Sequence, residues 1–429
     1  MRNFLLILFT CLGFSSISQN RYLVVFTDKI ETNFDAVSYF DTAALKSFKM
    51  QGLPAYDWYD LPVNSSYIEA LSPFVDSLRF DLRWFNGVVV YGTADQMDVI
   101  KEFSFIKEII TLGNSGVILS NKKEKDFDAD LKNDFKVFDW QLETMGGSYF
   151  KKRNIDGTGI RVCVLDVGFP DVDTDPITRH LFNNGNYIEG YDFIRDKPLR
   201  FKGFKHGKQV LSFIAGKIDT HRVGLATNIE LLLARTEWML TEKPYEEEVW
   251  VKALEWAHKK GARLVNSSLG YSGKSHSHEE LDGKTTLTSR AGNLAAKKGI
   301  LVVCSAGNSG TTKWKYIATP ADADSVLTVG AISGSSIHRN FSSYGPTSDH
   351  RMKPNVVAYG DVMTASKKGI SQSQGTSFSS PLIAGFAACL WEMFPKYSNM
   401  EIFKLIEESS SMYPYFDYAH GHGIPQASY

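Results

Sequence analysis

Along the last two thirds of the chain, apolar residues fall into short, nearly unbroken blocks and longer stretches that repeat every three to four positions. Ile160-Arg161-Val162-Cys163-Val164-Leu165 is a block, as are Ile229 to Ala234, Arg263 to Ser267, Ile300 to Ser305 and Val326 to Ala331. Such blocks, bounded by polar or glycine positions, predict buried strands. Between them lie helical patterns: Gly207 to Ala215, Ala291 to Lys298, and Glu246 to Lys260 with Val249, Trp250, Ala253, Leu254 and Ala257 on one face. Strands without a polar face, alternating with helices, predict a three-layer α/β fold with a mostly parallel sheet over residues 137–429. In such sheets ligands gather at the carboxyl ends of the strands. Asp166, Ser268 and Asn308 all fall just past the ends of predicted strands.

The run Leu382 to Phe394 has almost no polar face and predicts a buried helix. Gly375-Thr376-Ser377-Phe378-Ser379-Ser380-Pro381 leads into it. Thr376 is a suitable N-cap type and Pro381 is tolerated in the first turns. The aligned peptide dipoles then favour negative charge near Ser377.

Ahead of residue 137 the pattern changes. Tyr22 to Phe26 and Trp84 to Tyr91 predict strands, Ala94 to Phe103 a helix, and Ile106 to Thr111 a further strand, together a small α+β unit over residues 19–118. Residues 119–136 carry Lys122, Lys123, Glu124, Lys125, Asp126, Asp128, Asp130, Lys132 and Asp134. That density of mixed charge predicts a solvated linker open to proteolysis. At the start, Arg2, the apolar Phe4 to Phe14 and Ser16-Ile17-Ser18 have the form of a signal peptide over residues 1–18. No apolar run reaches the roughly 18 residues of a membrane span. The expectation is therefore a secreted or periplasmic protein without a membrane anchor.

Composition narrows the partners. With 43% apolar residues and a net charge of -1, the chain has no basic excess that would argue for nucleic acid. Cys11 belongs to the signal, and Cys163, Cys304 and Cys389 are too scattered for a disulfide framework or a metal site. They are expected as packed free thiols.

The heptapeptide around Ser377 resembles the serine motif of the subtilisin-like serine peptidases, the subtilases. Asp166-Val167-Gly168 and His206-Gly207-Lys208 resemble that family's other two motifs, and the order Asp, His, Ser is the one subtilisin uses. The resemblance implies a triad: Ser377 as nucleophile, His206 as base and later acid, Asp166 holding the imidazole. Cys304-Ser305-Ala306-Gly307-Asn308-Ser309-Gly310 resembles the oxyanion motif, which makes Asn308 the side-chain donor to a tetrahedral oxyanion beside the Ser377 N–H. Ser268, Leu269 and Gly270 resemble the segment that pairs with substrate as an added strand, and Ala306 and Gly307 would help wall the pocket. The N-terminal unit resembles the inhibitory prodomain that precedes many subtilases. The resemblance thus implies a serine endopeptidase acting on protein or peptide substrates through an acyl-enzyme. It would be made as a zymogen restrained by its own prodomain and released by cleavage in the linker.

Three departures bear on that reading. Val167 and Lys208 stand where the family usually has Ser or Thr and Thr. A cation beside His206 would disfavour the imidazolium if turned inward, so Lys208 is expected to point away. The calcium loop that follows the His helix in subtilisin is missing from Gly216 to Thr227, and Gln141 and Asp175 alone do not make a calcium site. No cofactor is expected, and calcium stays open without a recognisable ligand loop to support it. The alternative from another class is a catalytically silent, subtilase-like peptide-binding module. An α/β-hydrolase would need a Gly-x-Ser-x-Gly elbow, and the chain has none.

Overall fold

The structure is a computed structural model describing residues 20–30, 32–113, 125–126, 136–238, 245–273, 276–366 and 369–428. The signal peptide expected at 1–18 and nearly all of the 119–136 linker lie outside the described residues. The chain divides into two compact units, one of residues up to Thr32 with Pro62–Leu112, the other of Asn33–Leu61 with Gly113 onward.

The smaller unit is an antiparallel sheet of β1 (Asn20–Phe26), β2 (Ser77–Leu82), β3 (Gly87–Gly92) and β4 (Ile106–Leu112), in the order β2-β3-β1-β4. Helices Ser65–Leu71 and Ala94–Ile100 make the crossovers, giving the ferredoxin-like order. Tyr22, Val24 and Phe26 alternate onto one face of β1 and meet Val88, Val90, Leu71, Met97 and Ile100. The expected strand from Trp84 begins only at Gly87. Arg83–Phe85 form a 3-10 turn, and left-handed Asn86 donates its side-chain amide to the carbonyls of Phe26 and Asp28.

The larger unit is built on eight strands: β5 (Arg161–Asp166), β6 (Tyr187–Asp192), β7 (Lys197–Pro198), β8 (Glu230–Arg235), β9 (Leu264–Ser267), β10 (Leu301–Ser305), β11 (Val326–Ile332) and β12 (Val356–Tyr359). Their order is β12-β11-β10-β9-β5-β8-β6-β7, parallel except for β7 at the edge. The unit also contains α1 (Ala36–Tyr39), α2 (Thr42–Met50), α3 (His206–Ala215), α4 (Glu246–Lys259), α5 (Leu287–Lys297) and α6 (Thr376–Met393). Val162 and Val164 of β5 turn to the face covered by α3 and α6. Cys163 and Leu165 therefore turn to the other. Ser267, in register with Leu165, accepts a hydrogen bond from Trp250 Nε1 of α4 at 3.0 Å, which places α4 on that second face. Helices thus cover both faces, as the all-apolar strands predict. The hairpin β13 (Asp361–Ser366) and β14 (Gly369–Gln374) delivers the chain into α6.

Residues 19–118 do not group as a single unit, because Asn33–Leu61 pack with the larger one. The aromatic faces of α1 and α2 are buried there, with Phe40 and Phe48 against His258. No helix among the described residues is long and apolar enough to cross a membrane.

Candidate active site

From β5 the sheet grows first toward β8 and β6, then on the opposite side through β9 to β12. The reversal lies between β5 and β9, where parallel sheets open a crevice at their carboxyl ends. Asp166 ends β5 and Ser268 follows β9.

Asp166 is fully buried, and its Oδ1 accepts the Val167 N–H at 2.8 Å. His206 opens α3, with Nδ1 2.9 Å and 3.0 Å from the two Asp166 oxygens. A carboxylate there fixes Nδ1 as the protonated nitrogen and leaves Nε2 with the lone pair. Nε2 is buried and has no hydrogen-bond partner among the described residues. The helix can start this close because residue 207 is glycine: a Cβ there would stand 2.5 Å from the Gly168 carbonyl oxygen and 2.9 Å from Asp166 Cβ. The imidazole lies against Phe378, ring centroids 5.7 Å apart, next in the chain to Ser377.

Helix α6 starts one residue earlier than a Thr376 cap implies. Gly375 is the cap residue, and the Thr376 N–H and hydroxyl both donate to Asn308 Oδ1, at 3.0 and 3.1 Å. A backbone N–H can only donate, so Oδ1 is the atom of the amide facing Thr376 and Nδ2 points elsewhere. Nδ2 is buried and unpartnered among the described residues. Ser377 occupies the second helical position, where the peptide dipoles converge.

Pro381 falls four residues after Ser377, so the helix lacks the N–H that would bond the Ser377 carbonyl. The Ser268 hydroxyl takes that place, donating to Ser377 O at 2.9 Å. Behind it, Asn266 Nδ2 donates to Ser268 Oγ at 3.1 Å and Ser380 Oγ to Asn266 Oδ1 at 2.9 Å. In return the Ser377 hydroxyl donates to the Ser268 carbonyl at 3.2 Å, not to His206. A change of χ1 well redirects it, and such bonds often form only with substrate present.

The side chains of Ser268 and Leu269 are buried, so Ser268-Leu269-Gly270 offers a partner its backbone alone. Beyond Gly270, Tyr271 is tied to Thr319 by N–H···O bonds of 2.8 and 3.0 Å. Ala306 donates to Val329 O and Gly307 O accepts from Ser343, both at 2.9 Å, which holds that pair as a fixed wall.

Lys208 points away from the imidazole. Its ammonium bonds Asp175 Oδ2 at 2.9 Å, and Asp175 is 1% exposed. Gln141 Oε1 is taken by the Met363 N–H. Oxygens that would have to bind a cation are thus engaged, one by a charge of the chain's own. Among the described residues no group of three His, Cys, Asp or Glu could hold a metal.

A second buried cluster was not legible in the sequence. Tyr271 donates to Glu237 Oε1 at 2.6 Å, and Glu246 accepts the Trp238 N–H at 2.8 Å. Burial first, and the charge of Glu246 second, lift the Glu237 carboxyl well above the usual carboxylate range. A glutamate just after a strand reads as solvated, and only the fold brings its partner close. Cys163, Cys304 and Cys389 are free and buried, and burial pushes the Cys304 thiol up to about 12. Such thiols are inert.

An imidazole steadied by a carboxylate, a serine at a helix start and an idle amide donor, on the carboxyl edge of a parallel sheet, are the parts of a serine hydrolase site. Residues 157–423 match the subtilase family, Peptidase S8, and the chain belongs to it. Residues 21–126 match the Peptidase S8 propeptide domain of Bacteroidota. Among curated relatives, alkaline elastase YaB of Bacillus sp. (strain YaB) is 29% identical over 344 residues, 78% of this chain and 81% of that protein. The alkaline protease of Alkalihalobacillus alcalophilus is 28% identical over 278 residues, 64% of this chain and 65% of its own length. Fervidolysin of Fervidobacterium pennivorans, a keratinolytic enzyme, has a similar fold (TM-score 0.64, 18% identity, 97% of this chain and 61% of that one). So does the epidermin leader peptide processing serine protease of Staphylococcus aureus (TM-score 0.66, 13% identity, 95% of this chain and 98% of that one). The chain therefore spans less than two thirds of the length of two of these relatives.

Proposed function

We propose that the chain is an exported serine endopeptidase, made as a zymogen whose propeptide is cut away within residues 119–136. The observation that carries this is a pair of idle groups on the elements around Ser377: His206 Nε2 and Asn308 Nδ2, both buried and both without a partner among the described residues. Buried polar atoms left unpaired cost free energy, so two at one serine call for a ligand or a reacting group. In the proposed reaction Ser377 Oγ turns from Ser268 to His206 Nε2, gives up its proton and bonds to the scissile carbonyl carbon. The oxygen that gains charge lies between Asn308 Nδ2 and the Ser377 N–H. Asp166 balances the imidazolium. His206 then protonates the leaving amine, and a water molecule, deprotonated in the same way, hydrolyses the acyl-enzyme. The substrate backbone is read as pairing with Ser268-Leu269-Gly270 beside Ala306 and Gly307. No metal is assigned a role, since Lys208 already neutralises Asp175.

Labelling with a fluorophosphonate tests the proposal. The mature wild-type protein should be modified once, at Ser377, and Ser377→Ala should not be modified. An unlabelled mature wild type overturns it. The hydrogen bond from Ser377 to the Ser268 carbonyl favours a second reading, a silent peptide-binding groove. Saturable peptide binding without product would decide for it.

A further inference from the structure

Residues 33–61 lie inside the stretch that matches the propeptide family, yet they pack with the larger unit. They land on the C-terminal tips of α4 and α5. The Asp41 N–H donates to the Lys259 carbonyl at 3.1 Å, satisfying one of the acceptors that a helix end leaves over. Each tip is closed by a glycine in the left-handed region, and at Gly261 the approach of the segment's backbone requires it. A Cβ on Gly261 would stand 2.7 Å from Ala44 N, and one on Gly299 2.6 Å from Leu53 Cδ1.

Side chains complete the seat. His258, in the last turn of α4, is 4% exposed, with Phe48 stacked on it at 4.9 Å and Phe40 edge-on at 5.2 Å. Lys298, at the end of α5, is buried, and its ammonium is bound by Asp57 and by Asp60, the latter at 2.6 Å. Asp41 lies 3.6 Å from Lys260 and 3.7 Å from Arg161, and Lys259 stands over the Tyr39 ring at 4.7 Å. Three cations of the tips, with Arg161 at the start of β5, thus face three carboxylates and several rings of the segment. This is the amino edge of the sheet: Arg161 opens β5 and Asp166 closes it, about 17 Å away at strand rise.

We infer that the tips of α4 and α5 form an exosite for the acidic, aromatic segment 33–61, a holding point for the propeptide that is separate from the reacting groups. The inference rests on the propeptide reading above. It adds that a cut in the linker leaves the propeptide attached, and that the exosite governs how long it stays. Truncating one partner of a buried ion pair strands the other charge and acts mainly on dissociation.

The test uses the full chain carrying Ser377→Ala, cut once within residues 119–136 by an added protease, with propeptide release followed by native mass spectrometry. Lys298→Met and Asp60→Asn should each speed release by about thirtyfold or more. Phe48→Ala should also speed it, whereas Lys297→Met, an exposed neighbour, should not. Asp60→Asn and Phe48→Ala alter only the segment, so misfolding of Lys298→Met leaves the test intact. Release within twofold of wild type for Asp60→Asn and Phe48→Ala overturns the exosite, as does equal acceleration by Lys297→Met. The readout needs no turnover. A silent groove would therefore leave this result standing, while an enzyme labelled at Ser377 with unchanged release would sink the exosite alone.

Discussion

Asn308 joins two tasks in one amide. Its oxygen fixes the start of α6 through Thr376, and its nitrogen is left over beside Ser377. The substitution Asn308→Asp separates them, since it keeps the acceptor and removes the donor. Loss of one such donor in subtilisin costs about 10²–10³ in turnover. A fall in kcat of that size, with KM changed by no more than about threefold, is the expected outcome in steady-state assays on a peptide substrate. A folded Asn308→Asp protein with wild-type kcat would remove Asn308 from the chemistry. These residues were legible because each sits in a short motif of its own. The consequence of Lys208 was only half legible: its direction away from His206 could be expected, but its partner Asp175 comes from a loop that only the fold brings near.

At the scale of elements, the link between Pro381 and Ser268 shows what a linear reading leaves out. A proline in the second turn of α6 removes a donor, and a residue more than a hundred positions earlier supplies one. Ser268→Ala should therefore destabilise the protein by about 1–3 kcal/mol, the cost of an orphaned buried carbonyl. Urea unfolding of the Ser377→Ala chain, which cannot digest itself, measures this. Pro381→Ala in the same molecule should recover part of the loss by restoring the N–H, and failure to recover would refute this account of the pair. The central strands were legible to within about a residue because their apolar runs are continuous. β6 was not, because Tyr187-Ile188-Glu189-Gly190-Tyr191-Asp192 alternates polar residues and carries a glycine. Helix α5 starts a turn earlier than its apolar pattern because the Thr286 hydroxyl caps it.

At the scale of the whole molecule, attachment of the propeptide should depend on pH through the exosite. Burial first, and the Lys298 charge second, hold the His258 imidazole well below its usual range, so the docked form favours the neutral ring. Facing it are Asp60, with Asp57 and Lys298 bound beside it, and Lys297 on the rim of the same hollow. Undocking uncovers the ring from Phe40 and Phe48 and lets it take up a proton. Docking is thus strongest above the ordinary imidazole value near 6.5 and weakens as pH falls below it, by at most about tenfold per pH unit for one proton. Burial raises the Asp60 carboxyl, which acts in the opposite sense and only at lower pH, within the carboxylate range. Release rates between pH 7.5 and 5.5 should rise for the wild type and stay flat for His258→Phe. A flat wild-type profile would exclude His258 as the sensor.

The two ends of β5 serve different masters. On the proposed function and exosite, bond-breaking belongs to one rim of the sheet and custody of the propeptide to the other, so substitutions at the helix tips should lengthen or shorten latency while leaving the chemistry at full strength. A lineage, or an engineer, thereby has a timer that can be reset without retuning the catalyst.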